Sequence, residues 1–159
     1  MKLIAAVDVR WALGRNGQLL FSIPEDMARF RVLTTGHSIL YGRKTMLTFP
    51  GGRPLPKRKN IVLTHVPERI DPPALGCDSM EKAVALAGTD GFVVGGASVY
   101  DQLLPLCDCA YITKVFSDEA GDCFLPDLDA APDWQCSSAS EKKTWNGLQY
   151  QFLQYERRK

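Results

Sequence analysis

GFVVGGASVYDQLL, residues 91–104, changes its periodicity halfway along. Phe92 to Val94 form the short apolar run of a buried strand, whereas Val99, Tyr100 and Leu103 recur in helical register. Between them stand Gly95 and Gly96, where the backbone can approach a ligand closely and the start of a helix offers unpaired N–H groups to an anion. The junction is either a phosphate seat or a tight turn, since Gly-Gly serves both and its spacing departs from GxGxxG. Either way a strand feeds a helix, which is the unit of an α/β fold.

The same alternation runs outward on both sides. KLIAAV, SILY and NIVLT read as strands; residues 23–35, a short stretch from Thr45, SMEKAVALA and Ala97 to Leu104 read as helices, the last ahead of Pro105. Beyond Cys109, AYITKVF, WQCSSAS and LQYQFLQYE are strand-like with no helical pattern between them. The pattern predicts an α/β chain forming a single domain over residues 1–159. Its core is a mostly parallel, twisted central sheet of about eight strands with antiparallel C-terminal strands, flanked by about four helices. Two segments are too rich in glycine and proline for plain connectors, VRWALGRNGQLLFS (9–22) and FPGGRPLPKRKN (49–60), and both are candidate site walls.

Composition narrows the function. The chain has 159 residues, 45% of them hydrophobic and 23% charged, with a net charge of +1, so no field gathers nucleic acid or anionic lipid. Cysteines at 77, 107, 109, 123 and 136 are odd in number and include no CxxC pair, which favours reduced thiols over disulfides or a zinc site. The apolar run LIAAV is stopped by Asp8, well short of a signal-peptide core, and no stretch approaches a membrane span. A cytoplasmic protein is expected, and the sequence carries no metal-ligand motif.

The helix at 23–35 poses the sharpest question. At about 100° per residue, Ile23, Met27, Phe30 and Leu33 share one arc of about 120°, the width of a core-facing stripe, and Asp26 falls inside it. Ser22 and Glu25 have the spacing of a capping box, Pro24 suits the first turn, and Gly36 closes the far end. Asp26 either supports the N-terminal turn electrostatically or faces a ligand from an apolar wall. In the second case its two acceptor oxygens suit an amidine-like edge with two N–H donors.

Two more strand ends carry polar groups. SILY runs into Gly42-Arg43-Lys44-Thr45 and NIVL into Thr64-His65. Open α/β sheets bind ligands at the C-terminal ends of their strands. Arg43, Thr64 and His65 would suit a second phosphate, as on the 2′ position of NADPH; the alternative is that Arg43 and Lys44 are solvated charges and His65 an incidental surface histidine. No Ser-His-Asp order, HExxH or cysteine pair is present, which leaves cofactor chemistry.

Taken together, LIAAV, LG, S-I-P-E-D, GRKT, GRPLPKRKNIVL, VVGGASVYDQLL, YIT and AGDCFLPD, in this order, resemble dihydrofolate reductase of the short bacterial type along the whole chain. The resemblance implies NADPH-dependent reduction of dihydrofolate to tetrahydrofolate by a monomer, with diaminopyrimidine and pteridine antifolates as inhibitors. It makes Asp26 the pterin-binding carboxylate, assisted by Thr113. Ile4, Ala5, Met27, Phe30 and Val94 would wall the pterin, Phe49 and Leu55 would touch the aminobenzoyl ring, and Arg58 would pair with the tail carboxylate. NADPH would lie over Gly95, Gly96, Ser98, Val99 and Tyr100, the last also bordering the substrate. Ala6 and Leu13 would sit near the nicotinamide and Thr45 near the pyrophosphate, with Arg43, Lys44, Thr64 and His65 at the adenosine end. Residues 9–22, with Leu19, Leu20 and Phe21, resemble the family's mobile lid, and Gly121-Asp122 the loop that bonds to its closed form.

The chain departs from the family at Leu20-Phe21, where Pro-Trp is usual; phenylalanine keeps an aromatic wall but has no indole N–H. Two rivals share parts of this pattern. A pyrimidine reductase of riboflavin synthesis needs neither the lone carboxylate nor Arg58, and a decayed relative would bind nucleotide or folate without turnover.

Overall fold

The computed structural model describes residues 1–118 and 120–159. In chain order the elements are β1 (Lys2–Val7), β2 (Ala12–Arg15), β3 (Gln18–Leu19), α1 (Pro24–Thr34), β4 (Ser38–Gly42), α2 (Arg43–Met46), β5 (Lys59–Leu63) and β6 (Leu75–Cys77). There follow α3 (Met80–Ala87), β7 (Phe92–Gly95), α4 (Ala97–Leu103), β8 (Cys109–Val115), β9 (Cys123–Phe124), β10 (Trp134–Ala139), β11 (Lys143–Trp145) and β12 (Leu148–Arg157). The main sheet runs β10-β12-β8-β1-β7-β4-β5-β6, with β11 paired to β12. From β8 to β6 every pairing is parallel, and β12 and β10 close the sheet antiparallel. The expected architecture is therefore the observed one.

Central strands are continuous apolar runs because both faces of the sheet are covered. Leu3, Ile39, Leu40, Ile61 and Val62 are wholly buried, and each such side chain contributes roughly 1.5–3 kcal/mol. α3 begins at Ser79, whose hydroxyl accepts from the Lys82 N–H at 3.2 Å, and ends at Gly88 with φ 71°. Both terminal signals are those of an ordinary capped helix.

α1 departs from expectation at its start. Ile23 occupies the N-cap position and no side chain caps the helix. Glu25 instead accepts from the Tyr150 hydroxyl at 2.9 Å and pairs with Lys143 at 3.0 Å, while the Ser22 hydroxyl donates to Met27 Sδ at 3.3 Å. A cationic and a phenolic partner on the C-terminal strands outcompete one backbone N–H, since hydrogen bonds to charged groups are the stronger kind. The apolar arc also fails to bury as a stripe: only Ile23 is buried, Phe30 and Leu33 are half-buried, and Met27 is 55% exposed. The helix thus leaves much of this face open rather than sealing it against the core.

The segment 9–22 is more ordered than a loop. β2 and β3 form a hairpin with Arg15 opposite Gln18, turning through Asn16 (φ 53°) and Gly17 (φ 75°). β2 also pairs with β9, making a small second sheet.

Candidate active site

Asp26 lies on the first turn of α1, half-buried, and its Oδ1 accepts from the Thr113 hydroxyl at 2.5 Å. Thr113 is buried on β8 and stands opposite Ala6 of β1. Burial raises the pKa of Asp26, outweighing the Thr113 hydrogen bond and the positive charge of Arg29, which both lower it. A carboxylate in this setting has one oxygen held from the protein side and acceptor capacity left for a ligand.

Phe30, one turn further along α1, belongs to an apolar cluster that draws on several strands, helices and loops. Ile4, Tyr41 and Phe92 belong to its buried part, and Phe30, Phe49, Leu55 and Val94 are among the partly exposed side chains packed against it. Five of the side chains expected to contact substrate, Ile4, Phe30, Phe49, Leu55 and Val94, are thereby brought together. Ala5 belongs to the neighbouring core cluster, and Met27 stays mostly in solvent. Asn60 fixes the wall: its side chain donates to the Leu55 and Arg58 carbonyls and accepts from the Leu55 N–H and the Tyr41 hydroxyl. Sequence reading missed Asn60, although an asparagine inside the apolar run of NIVL was a visible signal.

Arg58 projects near Phe30, with its guanidinium 5.9 Å from the ring. One Nη donates to Thr35 Oγ1 at 3.4 Å, but its buried Nε has no partner among the described residues. Burial and the nearby Arg31 charge both depress its pKa. An incompletely paired guanidinium facing like charge suits an incoming carboxylate.

On the other side, strand ends β4, β5 and β6 and the starts of α2, α3 and α4 surround a crevice of about 540 Å³. Arg43, Lys44, Thr45, Thr64, His65 and Gly96 line it, as do Ser98 and Val99. Also lining it are Cys77, Asp78, Ser79 and Gln102, which the sequence reading did not single out. Gly95 backs the crevice; it has φ 135°, and a Cβ there would lie 3.4 Å from Thr45 Oγ1. The Gly95-Gly96 peptide is cis. Ala6 and Leu13 do not line this crevice, lying on β1 and β2, with Leu13 buried in the main core. Tyr100 is buried, and its hydroxyl donates to the Ile4 carbonyl at 2.7 Å, standing between the two halves of the site. The volume falls in the range of cofactor sites, and cationic groups with glycine backbone fit a phosphorylated dinucleotide such as NADPH.

The hairpin β2–β3 adjoins this region and is tied down from one side. The Asp122 N–H donates to the Gly14 carbonyl and the Asn16 N–H to Asp122 Oδ2, both at 2.9 Å. Gly121 packs so closely that a Cβ would stand 2.5 Å from Ala12 Cβ and 3.6 Å from Leu20. Phe21 packs with Ile23, Val115 and Tyr150, while Leu19 is largely exposed.

A parallel sheet whose strand ends hold a dinucleotide-sized crevice, with a half-buried carboxylate held by a threonine of the same sheet, defines a nicotinamide-dependent reductase. The family model described as Dihydrofolate reductase matches residues 1–157. The chain is 36% identical over 162 residues to the dihydrofolate reductase of Bacillus subtilis (98% of this chain, 93% of that one). It is 35% identical over 159 residues to that of Mycobacterium tuberculosis H37Rv (98% and 96%). Among solved structures, Enterococcus faecalis dihydrofolate reductase complexed with NADP(H) and RAB-propyl superposes with a TM-score of 0.85 at 28% identity, covering 99% of this chain and 96% of that one. The chain belongs to the dihydrofolate reductase family.

Proposed function

We infer that this chain reduces 7,8-dihydrofolate to 5,6,7,8-tetrahydrofolate, acting as a monomer, and that diaminopyrimidine and pteridine antifolates compete for its pterin cleft. The observation that carries the reading is the Asp26 carboxylate, half-buried, anchored by Thr113 and flanked by an apolar cluster. NADPH, when bound, supplies the hydride delivered to pterin C6. Asp26 accepts the N3 and 2-amino hydrogens, which fixes the ring and favours the protonated pterin. Because it grips the far edge it does not reach N5, and the proton arrives there through water. Ile4, Ala5, Phe30 and Val94 exclude solvent from the ring faces, with the exposed Met27 at their rim; Phe49 and Leu55 contact the aminobenzoyl group, and Arg58 takes the tail carboxylate.

In the crevice, Gly96, Ser98, Val99 and Thr45 hold the pyrophosphate region, with Gly95 behind them, and the cofactor extends beyond it so that its nicotinamide lies toward Ala6, Leu13 and Tyr100. Arg43, Lys44, Thr64 and His65 receive the adenosine end. Leu19, Leu20 and Phe21 belong to a lid whose closed form is held by Gly121 and Asp122, and opening it for product release limits turnover.

Loss of NADPH absorbance on adding dihydrofolate tests the activity, and no loss refutes it. A second measurement concerns the adenosine end. Arg43→Ala is expected to weaken NADPH binding by about 1.5 to 3 kcal/mol, the scale of a charged hydrogen bond, and to leave NADH nearly unchanged. Equal losses for both cofactors would put the 2′-phosphate somewhere else.

A further inference from the structure

Arg29 follows Asp26 by three residues on α1, so the two side chains share a face of the helix. Its guanidinium lies 4.4 Å from the ring centre of Phe152 and 5.6 Å from that of Tyr111. Both rings are tied to the partner of Asp26. Phe152 of β12 stands opposite Thr113, and Tyr111 precedes Thr113 by two residues on the same face of β8. Among the described residues Arg29 makes no hydrogen bond or ion pair, although it is half-buried. A half-buried guanidinium cradled by two rings and left without a counter-ion has its charge free to act on Asp26, one turn back on the same helix.

We propose that Arg29 is a positioning residue for the reaction: held by Phe152 and Tyr111, its charge keeps Asp26 ionised in the free enzyme and so sets the lower pH limit at which the pterin is gripped. The inference rests on Asp26 being the pterin-holding carboxylate. Burial pulls Arg29 down from its usual range, and the Asp26 charge pulls it back up. A guanidinium remains protonated through such shifts.

The other ionisable groups around the pair do not supply this charge. Tyr100 on α4 and Tyr150 on β12 are pushed up by burial and stay neutral, as does Tyr111 beneath Arg29. Glu25, next to Asp26, is engaged by Lys143 at 3.0 Å and by the Tyr150 hydroxyl, and Lys143 is further shared with Glu141.

The test compares Arg29→Gln and Arg29→Lys with the parent in two readouts: isotope-edited NMR titration of the Asp26 carboxyl carbon in the free enzyme, and the acid limb of kcat/KM. In Arg29→Gln the carboxyl midpoint should rise by about half to one pH unit, the acid limb should move with it, and Arg29→Lys should restore most of both. A midpoint that stays in place in Arg29→Gln overturns the proposal and leaves the role of Asp26 standing. A midpoint that moves while the kcat/KM limb does not would overturn the proposal together with the assigned role of Asp26. Equal shifts in Arg29→Lys and Arg29→Gln would mean that packing, not charge, is what Arg29 provides.

Discussion

Asp26→Asn is expected to melt above its parent at pH 7 while turning over at least about a hundredfold more slowly, a loss of some 2.7 kcal/mol of transition-state stabilisation. The kinetic half follows from valence: an amide offers one acceptor where the pterin edge needs two, and cannot favour a protonated ring. The stability half follows from the raised pKa of Asp26 in the folded chain. Below about pH 3.9, the ordinary carboxyl value, folded and unfolded chains both hold the proton and the site carries no penalty. As pH rises from there through the folded-state value, the unfolded chain releases its proton first, and stability falls until the folded carboxyl has ionised as well. Neutral pH, well above the unfolded value, therefore carries a penalty that asparagine removes.

The amide oxygen still accepts from Thr113, so the fold loses no partner. A gain of about 2–4 °C in Tm for each kcal/mol relieved is expected, and it should disappear in strongly acidic buffer. Turnover like that of the parent would remove Asp26 from the mechanism; a lower Tm at pH 7 would mean that the carboxylate is stabilised by its surroundings.

What was legible in the sequence was whatever expressed itself as a run. The middles of β4 and β5 are covered on both faces, so ILY and IVL appear as apolar stretches that need no partner to be recognised. Their spatial order is different, because β1 pairs with β7 and β8, whose partner residues lie 90 and 107 positions further along. The small second sheet leaves no period in the sequence because its strands are only two to four residues long. A local signal was nonetheless present: Asn16-Gly17 is the two-residue pair that adopts positive φ in a hairpin, and Asn146-Gly147 (φ 51° and 79°) joins β11 to β12 in the same way. Asp26 stood out because it broke an apolar arc. Glu25 was misassigned to a capping box because its actual partners, Lys143 and Tyr150, lie more than a hundred residues away. Local rules compete on equal terms only when no distant charge is available.

Gly95→Ala should damage fold and cofactor binding together. Gly95 has φ 135°, a region that residues with a side chain seldom occupy. Holding alanine there costs about 1–3 kcal/mol, and the new methyl would also sit 3.4 Å from Thr45 Oγ1 and 3.7 Å from the Tyr100 hydroxyl. Relief by backbone movement is not local. Gly95 pairs with Tyr41 at the point where the β4–β7 register shifts, and the next residue, Gly96, is the N-cap of α4, with no side chain to complete that turn. Moving Gly95 therefore displaces the start of α4, which lines the crevice, and pushes against Thr45, which lines it too. At about 2–4 °C per kcal/mol, Tm should drop by roughly 2–12 °C. NADPH, followed by fluorescence titration below the new melting range, should bind at least about tenfold more weakly, since 1.4 kcal/mol of misplacement already has that effect. A variant that melts lower yet binds NADPH normally would show that the turn adapts without disturbing the phosphates, and would remove Gly95 from the cofactor seat.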